Sequence, residues 1–407
     1  MSNKVKITKM NQNKQELVPK LRFPEFRDSG EWKEKSLKDL FTIGSGRDYK
    51  HLDNGEIPVY GTGGYMLSVN DYLYDGESVC IGRKGTIDKP VLLTGKFWTV
   101  DTLFYTHSFK ECLPRFVLSI FQNIDWKKHN EAGGVPSLSK TNIEKLNVVI
   151  PKLKEQQKIA DCLSSIDDLI TAESKKLESI KNHKKGLMQN LFPSEGKTTP
   201  NFRFPEFKND GEWEVKPLGK ICKYSNGGGN ENNVVDNGKY YLISLNSIDT
   251  EGNLKPNMKR VNHIDNSLIK NDLVMVLSDV AYGNFLGLSA IIPNNNYVLN
   301  QRMAGLRVRS NQNINIEYLR LFINNNQKYF KQKGQGSSQQ NLSKPSVERF
   351  PIFLPNNPKE QQKIADCLSS IDDLITSQGQ KIEALKTHKK GLMQQLFPNI
   401  DQNHKSK

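Results

Sequence analysis

Residues 154–171 read KEQQKIADCLSSIDDLIT, and residues 359–376 repeat these eighteen letters without a change. The likeness continues as far as HKKGLMQNLFP (183–193) and HKKGLMQQLFP (388–398), and 31 of the 40 positions from 154 to 193 are identical in the second copy. An internal repeat of this length indicates that one structural unit is used twice, so it decides the architecture before any local pattern is considered.

The repeated stretches enclose two dissimilar segments. RFPEFRDSGEW (22–32) and RFPEFKNDGEW (203–213) precede the two variable segments, 36–150 and 217–354, whose sequences differ almost throughout. Both variable segments nevertheless show short β-like runs, an apolar-periodic helix, a Gly/Ser-rich loop, the triplet Leu-Ser-Lys and a final strand. Strands mixed with helices at these spacings predict an α/β fold for each segment.

The repeated helix carries apolar residues at alternating steps of four and three. In the first copy they are Ile159, Leu163, Ile166, Ile170, Leu177, Ile180, Leu187 and Leu191, and in the second Ile364, Leu368, Ile371, Ile375, Ile382, Leu385, Leu392 and Leu396. The period is interrupted by polar Glu173 and Lys184, and in the second copy by Gln378 and Lys389. A 3.5-residue period over five heptads predicts helices packed along their length, each about 57 Å long at 1.5 Å per residue.

Two packing arrangements are compatible with this pattern. Each helix could lie against its own globular domain, as amphipathic helices usually do, or the two helices could pair with each other. The length and the narrow apolar seam favour an antiparallel pair with a pseudo-twofold axis, in which Glu173 would face Lys389 and Lys184 would face Gln378. We therefore predict two globular α/β domains separated by two long antiparallel coiled-coil-like helices.

The predicted boundaries follow the repeat. They give an N-terminal tail (1–20), a first globular domain (21–150), a central helix (151–193), a linker with the start of the second repeat (194–216), a second globular domain (217–354), a C-terminal helix (355–398) and a tail (399–407).

Polar positions on the helices are repeated as well, although solvated faces normally drift between copies. They include Glu155, Gln156, Asp161 and Asp168 in the first copy and Glu360, Gln361, Asp366 and Asp373 in the second. Two equivalent docking surfaces for two copies of one partner would explain why these residues stay the same while the variable segments diverge.

The composition points to a polyanionic partner. The 407 residues include 58 Lys and Arg against 44 Asp and Glu, a net charge of +14, which suggests nucleic acid or, less often, an anionic membrane surface. Residues 36–150 carry 13 basic and 13 acidic side chains, whereas residues 217–354 carry 16 and 9. No apolar run approaches the roughly 18 residues of a membrane span, and no secretory signal is recognisable, so we expect a cytoplasmic protein that does not bind a membrane. Five scattered cysteines fit a reduced compartment.

Motifs of catalysis are not found. The sequence lacks G-x-x-x-x-G-K-[ST], H-E-x-x-H and G-x-S-x-G, a metal-spaced His/Cys set, and an Asn/Asp-Pro-Pro-aromatic tetrapeptide with a glycine-rich cofactor loop. We therefore expect no catalytic residue, no metal and no cofactor held by this chain. The alternatives are a fused methyltransferase or nuclease with an unusual sequence, and a scaffold without a DNA role.

Polar, glycine-flanked loops after apolar runs are the candidates for DNA contact, because Arg pairs with guanine, Asn and Gln pair with adenine, and Lys, Ser and Thr reach phosphates. In the first variable segment they are Tyr60, Thr62, Arg83, Lys84, Thr86, Ser137, Ser139 and Lys140. In the second they are Ser278, Asp279, Tyr282, Asn284, Asn300, Gln301, Arg302, Ser337, Ser338, Gln339, Gln340 and Lys344. Ordinary turns, capped strand ends or a flexible linker would use the same residue types.

The repeated stretches also carry a family resemblance. They contain Glu-Gln-Gln-Lys-Ile-Ala (155–160, 360–365), Lys-Gly-Leu-Met-Gln (185–189, 390–394) and Arg-Phe-Pro-Glu-Phe (22–26, 203–207). With these stretches the chain resembles, over essentially its whole length, the specificity subunit of type I restriction-modification systems.

This resemblance implies a non-catalytic subunit that recognises double-stranded DNA. Each variable domain would read one half of an asymmetric, interrupted site, and the helices would fix the spacer and dock two modification subunits. Those partners would methylate adenine with S-adenosylmethionine, and two restriction subunits that use ATP and Mg²⁺ would join through them.

Overall fold

The computed structural model describes residues 17–265, 267–280, 284–336 and 339–398. They form two compact units, the first composed of the described residues up to Lys175 and from Gly379 onward, and the second of those within Lys176–Gln378. The boundary between the units falls inside two helices of 39 residues each. None of the helices in the described ranges is long and apolar enough to cross a membrane.

The first unit contains three small sheets, the beginning of the first long helix and the end of the second. Its strands are β1 (Lys33–Ser36), β2 (Thr42–Ser45), β3 (Asn54–Gly61), β4 (Gly64–Val69), β5 (Tyr74–Asp75), β6 (Ser78–Gly82), β7 (Val91–Leu93), β8 (Lys96–Thr99), β9 (Leu103–His107) and β10 (Asn147–Ile150), and its helices are α1 (Leu37–Leu40), α2 (Pro114–Asn123), α3 (Lys140–Glu144) and the beginning of α4 (Leu153–Leu191). The sheets have the strand orders β1-β10, β2-β9-β6-β7 and β4-β3-β8-β5.

The second unit repeats this series with small changes. Its helices are α5 (Leu218–Ile221), α6 (Ile316–Asn325), α7 (Gln327–Lys333), α8 (Lys344–Glu348) and the beginning of α9 (Pro358–Leu396). Its strands are β11 (Glu214–Pro217), β12 (Cys222–Asn226), β13 (Tyr240–Ile243), β14 (Arg260–Val261), β15 (Leu273–Val276), β16 (Ser278–Val280), β17 (Ser289–Ile291), β18 (Tyr297–Leu299), β19 (Met303–Val308), β20 (Gln339–Asn341) and β21 (Pro351–Leu354). The sheets are β11-β21, β12-β19-β15-β17, β14-β13-β18 and β16-β20.

The two units therefore share one topology despite their different sequences. The order β2-β9-β6-β7 corresponds to β12-β19-β15-β17, and in each unit one parallel pair, β3 with β8 or β13 with β18, stands among antiparallel neighbours. β6 and β15 are buried at every residue, which explains their apolar runs. The predicted mixed α/β repeat is confirmed.

Each long helix ends with a phenylalanine in a hydrophobic core. Phe397 packs against Trp32 and Phe116 in the first unit, with ring centroids 5.9 and 5.6 Å apart. Phe192 packs against Tyr318 and Phe322 in the second, at 5.7 and 5.3 Å. The first core thus depends on residues that come after the entire second unit in the sequence.

The seam predicted for α4 and α9 is confirmed, because all of its apolar residues are buried or half-buried. Within the first unit Asp167 is hydrogen-bonded to Lys389 and Glu173 to Lys381, so the two helical segments run antiparallel. The predicted register is wrong. Lys389 pairs with Asp167 instead of Glu173, and the equivalent Lys184 of the second unit pairs with Asp372, six residues before Gln378. Ion pairs with nearby aspartates decide the register.

The repeated triplet Leu-Ser-Lys has a structural explanation. Leu138 is buried, and the Ser139 hydroxyl accepts the Asn142 N–H at 3.2 Å, so Ser139 caps the N-terminus of α3. Ser343 caps α8 in the same way by accepting the Ser346 N–H at 3.3 Å. Caps of this type contribute about 1 kcal/mol each.

Candidate nucleic-acid interface

Three loops that are distant in the sequence meet at one surface of the first unit. Arg83, which follows β6, donates its backbone N–H to the carbonyl of Thr102 at 2.7 Å, and its own carbonyl accepts from Leu138 at 2.9 Å. The Gly85 N–H donates to the carbonyl of Pro136 at 2.8 Å. The segments around these residues therefore lie side by side, and the predicted DNA-contact loops form one continuous surface.

The turn between β3 and β4 reaches the same surface. A Cβ atom on Gly82 would lie 3.1 Å from the Thr62 methyl carbon, and one on Gly85 would lie 3.4 Å from the Thr62 hydroxyl. Gly85 also has a φ of +94°, which other residues rarely adopt. Glycine at positions 82 and 85 therefore lets the basic turn that contains Arg83 and Lys84 pack closely against the hairpin formed by β3 and β4.

A depression of about 770 Å³, the first depression, lies among this hairpin and the segments that follow β2 and β8. It is lined by Asp48, Tyr49, Lys50, residues 61–66 and residues 100–102. Two large side chains of the hairpin, Tyr65 and Met66, are 62% and 48% exposed. Exposed aromatic rings beside basic groups are typical of surfaces on which nucleic-acid bases stack.

The predicted contact residues of the first unit differ in exposure. Arg83, Lys84 and Lys140 are exposed, whereas Tyr60, Thr62, Thr86, Ser137 and Ser139 are half-buried. Lys84 and Ser137 lie opposite each other in a β-bridge. The Ser139 hydroxyl is used as a helix cap, and Lys140 forms an ion pair with Glu144 at 3.7 Å. Within the described residues the exposed Lys84 side chain makes no hydrogen bond, and the Arg83 guanidinium donates to the carbonyl of Asp101 at 3.4 Å.

The second unit brings its loops together with the same backbone contacts. Leu277, which follows β15, donates its N–H to the carbonyl of Arg302 at 3.1 Å and accepts from Leu342 at 2.8 Å. β16 and β20 extend the contact, with Asp279 opposite Gln340. The predicted loops of this unit are therefore also neighbours.

A depression of about 410 Å³, the second depression, lies beside these loops. It is lined by Glu231, residues 244–247, residues 257–259 and residues 300–302. The Glu231 carboxylate accepts from Lys259 at 2.8 Å and from the Asn300 amide at 2.8 Å. The hydrogen bond from Lys259 lowers the pKa of Glu231, so this carboxylate stays ionised at neutral pH.

The predicted contact residues of the second unit fall into three groups. Asn284, Gln301, Arg302 and Lys344 are exposed, Asp279, Gln339 and Gln340 are half-buried, and Ser278 and Asn300 are buried, while Tyr282, Ser337 and Ser338 lie outside the described residues. The Ser278 hydroxyl donates to Asn341 at 2.7 Å. The Asn300 side chain accepts from the Asn230 N–H at 3.1 Å and donates to Glu231. Ser278 and Asn300 therefore fix the loops in place.

Several lining residues were missed by the sequence interpretation. They are Asp48, Lys50, Tyr65, Met66 and Asp101 in the first unit and Glu231, Asn246, Asn257 and Lys259 in the second. Tyr65 could have been found, because it lies in the same glycine-rich turn as Thr62. Met66 follows Tyr65 directly, whereas the others come from separate segments that tertiary contacts bring together, such as the hydrogen bond from the Arg47 N–H to the Thr99 carbonyl at 2.8 Å and the bond from Asn300 to Glu231 at 2.8 Å.

Two of the predicted docking residues in α4 are buried, so the prediction that they face outward is wrong. The Glu155 carboxylate accepts from Arg22 at 2.8 and 2.7 Å and from the Trp32 indole at 3.2 Å. Gln156 accepts from the backbone N–H of Leu113 at 3.0 Å. The first turn of α4 packs against the globular part of its unit, and these contacts hold it there.

The equivalent residues of α9 are buried for the same reason. The Glu360 carboxylate accepts from Arg203 at 2.7 Å through both oxygens, and this interaction raises the pKa of the guanidinium. Gln361 accepts from the backbone N–H of Asn315 at 3.0 Å. The repetition of these residues therefore reflects a repeated internal contact.

The other predicted docking residues are exposed. They are Asp161 and Asp168 in α4 and Asp366 and Asp373 in α9. A leucine follows the second aspartate in both helices, and Leu169 and Leu374 are 42% and 57% exposed. Each helix therefore presents the same pair of exposed aspartates with an exposed leucine directly after the second.

The side chains of the described ranges offer little for catalysis. Among those residues, no group of three or more His, Cys, Asp or Glu is placed to hold a metal ion. Burial raises the pKa of the Cys80 and Cys222 thiols to about 12 and that of Cys112 to about 11. These thiols are protonated at neutral pH and are poor nucleophiles.

Comparison with known proteins shows which family the chain resembles. The family model described as "Type I restriction modification DNA specificity domain" matches residues 29–182 and 210–387. The chain is 26% identical over 361 residues to the type I restriction enzyme MjaVIII specificity subunit of Methanocaldococcus jannaschii, which covers 82% of this chain and 79% of that protein.

Two solved structures share the fold. The S subunit of a type I restriction-modification system from M. genitalium covers 94% of this chain and 100% of its own, with a TM-score of 0.65 at 14% identity. A chain from a structure on complex assembly and conformational transition of the type I system covers 90% of this chain and 98% of its own, with a TM-score of 0.55 at 12% identity.

Specificity subunits recognise the DNA sequence, and catalytic activity lies in other subunits of the complex. The two matched ranges contain both variable segments and most of each long helix. The chain therefore belongs to the family of DNA specificity subunits of type I restriction-modification systems.

Proposed function

We propose that each unit reads one half of an asymmetric, interrupted DNA site, through a first recognition domain (21–150) and a second recognition domain (217–354). The observation that carries this proposal is the pair of depressions, which occupy the same place in the topology but are lined by different side chains. A constant scaffold with variable loops changes specificity without changing the fold. Two different surfaces of this kind suit two different half-sites.

The helical segments 151–193 and 355–398 set the length of the spacer. Two readers on one face of a duplex need half-site centres about 34 Å apart, or one helical turn. An α-helix of 39 residues is about 58 Å long, which is sufficient for that separation. The apolar seam and the Asp–Lys pairs keep the paired segments in one register.

The exposed helix surfaces dock two modification subunits. Asp168 with Leu169 and Asp373 with Leu374 occupy equivalent positions in the two copies, so two molecules of one partner can bind in the same way. Restriction subunits join through these partners. S-adenosylmethionine belongs to the modification subunits, ATP and Mg²⁺ belong to the restriction subunits, and the complex acts on double-stranded DNA in the cytoplasm.

Exchange of one recognition domain tests the reading of half-sites. Residues 217–354 are replaced by the corresponding segment of another family member, the chimera is co-expressed with its modification subunits, and methylated adenines are sequenced across the host genome. We expect one half of the methylated motif to change and the other half to persist. An unchanged motif would favour a scaffold without a DNA role, and methylation by the purified chain alone would show an enzyme.

Substitution of the two leucines tests the docking surfaces. Leu169→Asp and Leu374→Asp are each expected to reduce the bound modification subunits from two to one, measured by native mass spectrometry, and the double variant should bind none. Ser174→Asp is the matched control, because Ser174 is exposed and lies far around α4 from both Asp168 and Leu169. Two partners bound to the double variant would place the docking surface elsewhere.

A further inference from the structure

The residues that follow the two parallel strand pairs are equivalent in backbone structure. In the first unit Val100 donates its N–H to the carbonyl of Tyr60 at 3.0 Å, and the Val100 carbonyl accepts from Leu103 at 2.9 Å. In the second unit Asn300 makes the same two bonds. Its N–H donates to the carbonyl of Ile243 at 3.0 Å, and its carbonyl accepts from the N–H of Met303 at 3.0 Å. A third hydrogen bond is also equivalent. The Thr102 carbonyl accepts from the backbone N–H of Arg83, and the Arg302 carbonyl accepts from that of Leu277. Residues 100–102 therefore correspond one by one to residues 300–302.

A close backbone contact beneath these residues also recurs. A Cβ atom on Gly46 would lie 2.0 Å from the carbonyl oxygen of Val100, and one on Gly227 would lie 2.0 Å from that of Asn300. Glycine is therefore needed at both places, because any side chain would collide with the backbone. The segments after β2 and β12 are held against residues 100–102 and 300–302, so both depressions have rigid walls.

The side chains on this equivalent backbone have different hydrogen-bonding capacities. Asp101 is exposed in the first depression, and a carboxylate can only accept hydrogen bonds. Gln301 occupies the equivalent position and can both donate and accept, and Arg302, which only donates, stands where the first unit has Thr102. None of the side chains of Asp101, Gln301 and Arg302 makes a hydrogen bond within the described parts of the chain, so their polar atoms are available to a ligand.

We propose that residues 101–102 and 301–302 are equivalent specificity positions, with Asp101 selecting cytosine in one half-site and Arg302 selecting guanine in the other. A carboxylate accepts from the N4 amino group of cytosine in the major groove, and a guanidinium donates to O6 and N7 of guanine. A carboxylate near DNA phosphates is unfavourable unless it meets a donor. Two basic side chains share this surface with Asp101, because Lys50 lines the same depression and the Arg83 guanidinium donates to the Asp101 carbonyl at 3.4 Å. This inference rests on the proposed function and assigns base identity within it.

The test uses the full chain co-expressed with its modification subunits, with methylated adenines sequenced and binding to the wild-type site measured. We expect Asp101→Asn to relax one cytosine position in a single half-site and Arg302→Ala to relax one guanine position in the other. Each variant should lose about 5- to 150-fold in discrimination at that position. Asp71→Asn is the matched control, because Asp71 is an exposed carboxylate of the first unit that does not line the depression.

The outcomes separate the inference from the proposed function. If exchange of residues 217–354 changes half of the motif but Asp101→Asn and Arg302→Ala leave it intact, the specificity assignment is wrong and the reading of half-sites stands. If a single substitution changes both half-sites, the two positions do not belong to separate readers. If exchange of the whole segment also leaves the motif intact, the proposed function fails as well.

Discussion

Lys389 of α9 places its ammonium 2.7 Å from both carboxylate oxygens of Asp167 in α4, and the same ammonium lies 2.9 Å from the amide oxygen of Gln122 in α2. The Lys389 side chain is only 12% exposed. Hydrogen bonds to charged, partly buried groups contribute about 1.5–3 kcal/mol. We therefore expect Lys389→Ala to lower the free energy of unfolding of the first unit by about 1–2 kcal/mol in urea denaturation, because Asp167 is partly exposed and can be resolvated.

Lys386 provides the matched control for this substitution. It pairs with Glu383 on the same helix α9 at 2.8 Å, but both side chains are exposed, at 55% and 71%, and such surface pairs contribute about 0–1 kcal/mol. Lys386→Ala should therefore cost clearly less than Lys389→Ala. Equal losses from the two variants would contradict the role of the buried ammonium.

The pair of Arg203 and Glu360 is expected to be the most sensitive ion pair of the second unit. Both side chains are almost fully buried, and removal of one partner leaves an uncompensated charge that costs about 3–5 kcal/mol. Arg203→Ala should therefore lower the melting temperature far more than Arg115→Ala, which breaks the exposed contact with Glu77 in the first unit. Differential scanning calorimetry of the two variants makes the comparison, and similar small shifts would contradict it.

Thiol reactivity should divide the cysteines into two classes. Cys80, Cys112 and Cys222 are buried, and their burial raises the pKa of each thiol to between about 11 and 12, whereas Cys162 and Cys367 on the long helices are half-buried. The thiolate is the reactive form. Iodoacetamide at pH 8 should therefore modify Cys162 and Cys367 in the folded protein, as measured by peptide mass spectrometry. Modification of Cys80 before unfolding would contradict the structure.

Arg83 and Lys84 are neighbours with different expected effects on DNA binding. If Arg83 reads a base, Arg83→Ala should cost about 1–3 kcal/mol and relax one position of one half-site. Lys84→Ala, which removes a phosphate contact, should weaken binding evenly across sequences and reduce the slope of log K against log salt by about 1. Fluorescence anisotropy at several salt concentrations distinguishes the two. A uniform loss in both variants would assign both side chains to phosphates.

The two helix-end phenylalanines should act on different units. Phe397→Ala removes a ring from the first core, and Phe192→Ala removes one from the second, each at about 3–5 kcal/mol. Hydrogen exchange followed by mass spectrometry should show faster exchange of β6 in the Phe397 variant and of β15 in the Phe192 variant. Faster exchange of both strands in both variants would show that the units unfold together.

The sequence was sufficient for the elements that depend on local periodicity. The apolar seam from Ile159 to Leu191 and the buried strand at Ser78–Gly82 follow directly from their patterns. Burial of one face imposes a period on the helix, and burial of both faces requires a continuous apolar run in the strand. Glu155 and Gln156 could not be assigned in this way. A charged residue in the first turn of a helix looks solvated until its buried partner, Arg22, is known to lie beside it.

The candidate site was predictable only in part for a related reason. Arg83 and Arg302 stand out because basic residues follow apolar runs, but Asp101 gains its interest only from its equivalence to Gln301. The order of elements in the sequence places the two residues only near one another, and the backbone hydrogen bonds align them residue by residue. The register of the long helices was missed because a heptad seam permits several registers. The Asp167–Lys389 contact selects one of them, and it joins residues more than two hundred positions apart.

The position of Phe397 has a consequence for biosynthesis. The ribosome makes all of Lys176–Gln378 before it reaches the residues that complete the first core, and domains generally fold as units while they are made. The unit that is begun first is therefore finished last. While translation continues beyond Gln378, the growing chain holds a complete second unit and a first unit whose apolar interior around Trp32 and Phe116 is still open. A premature stop in this stretch would leave a product whose first unit exposes its apolar core. Proteases and chaperones that recognise such surfaces would remove this product before it could enter the complex.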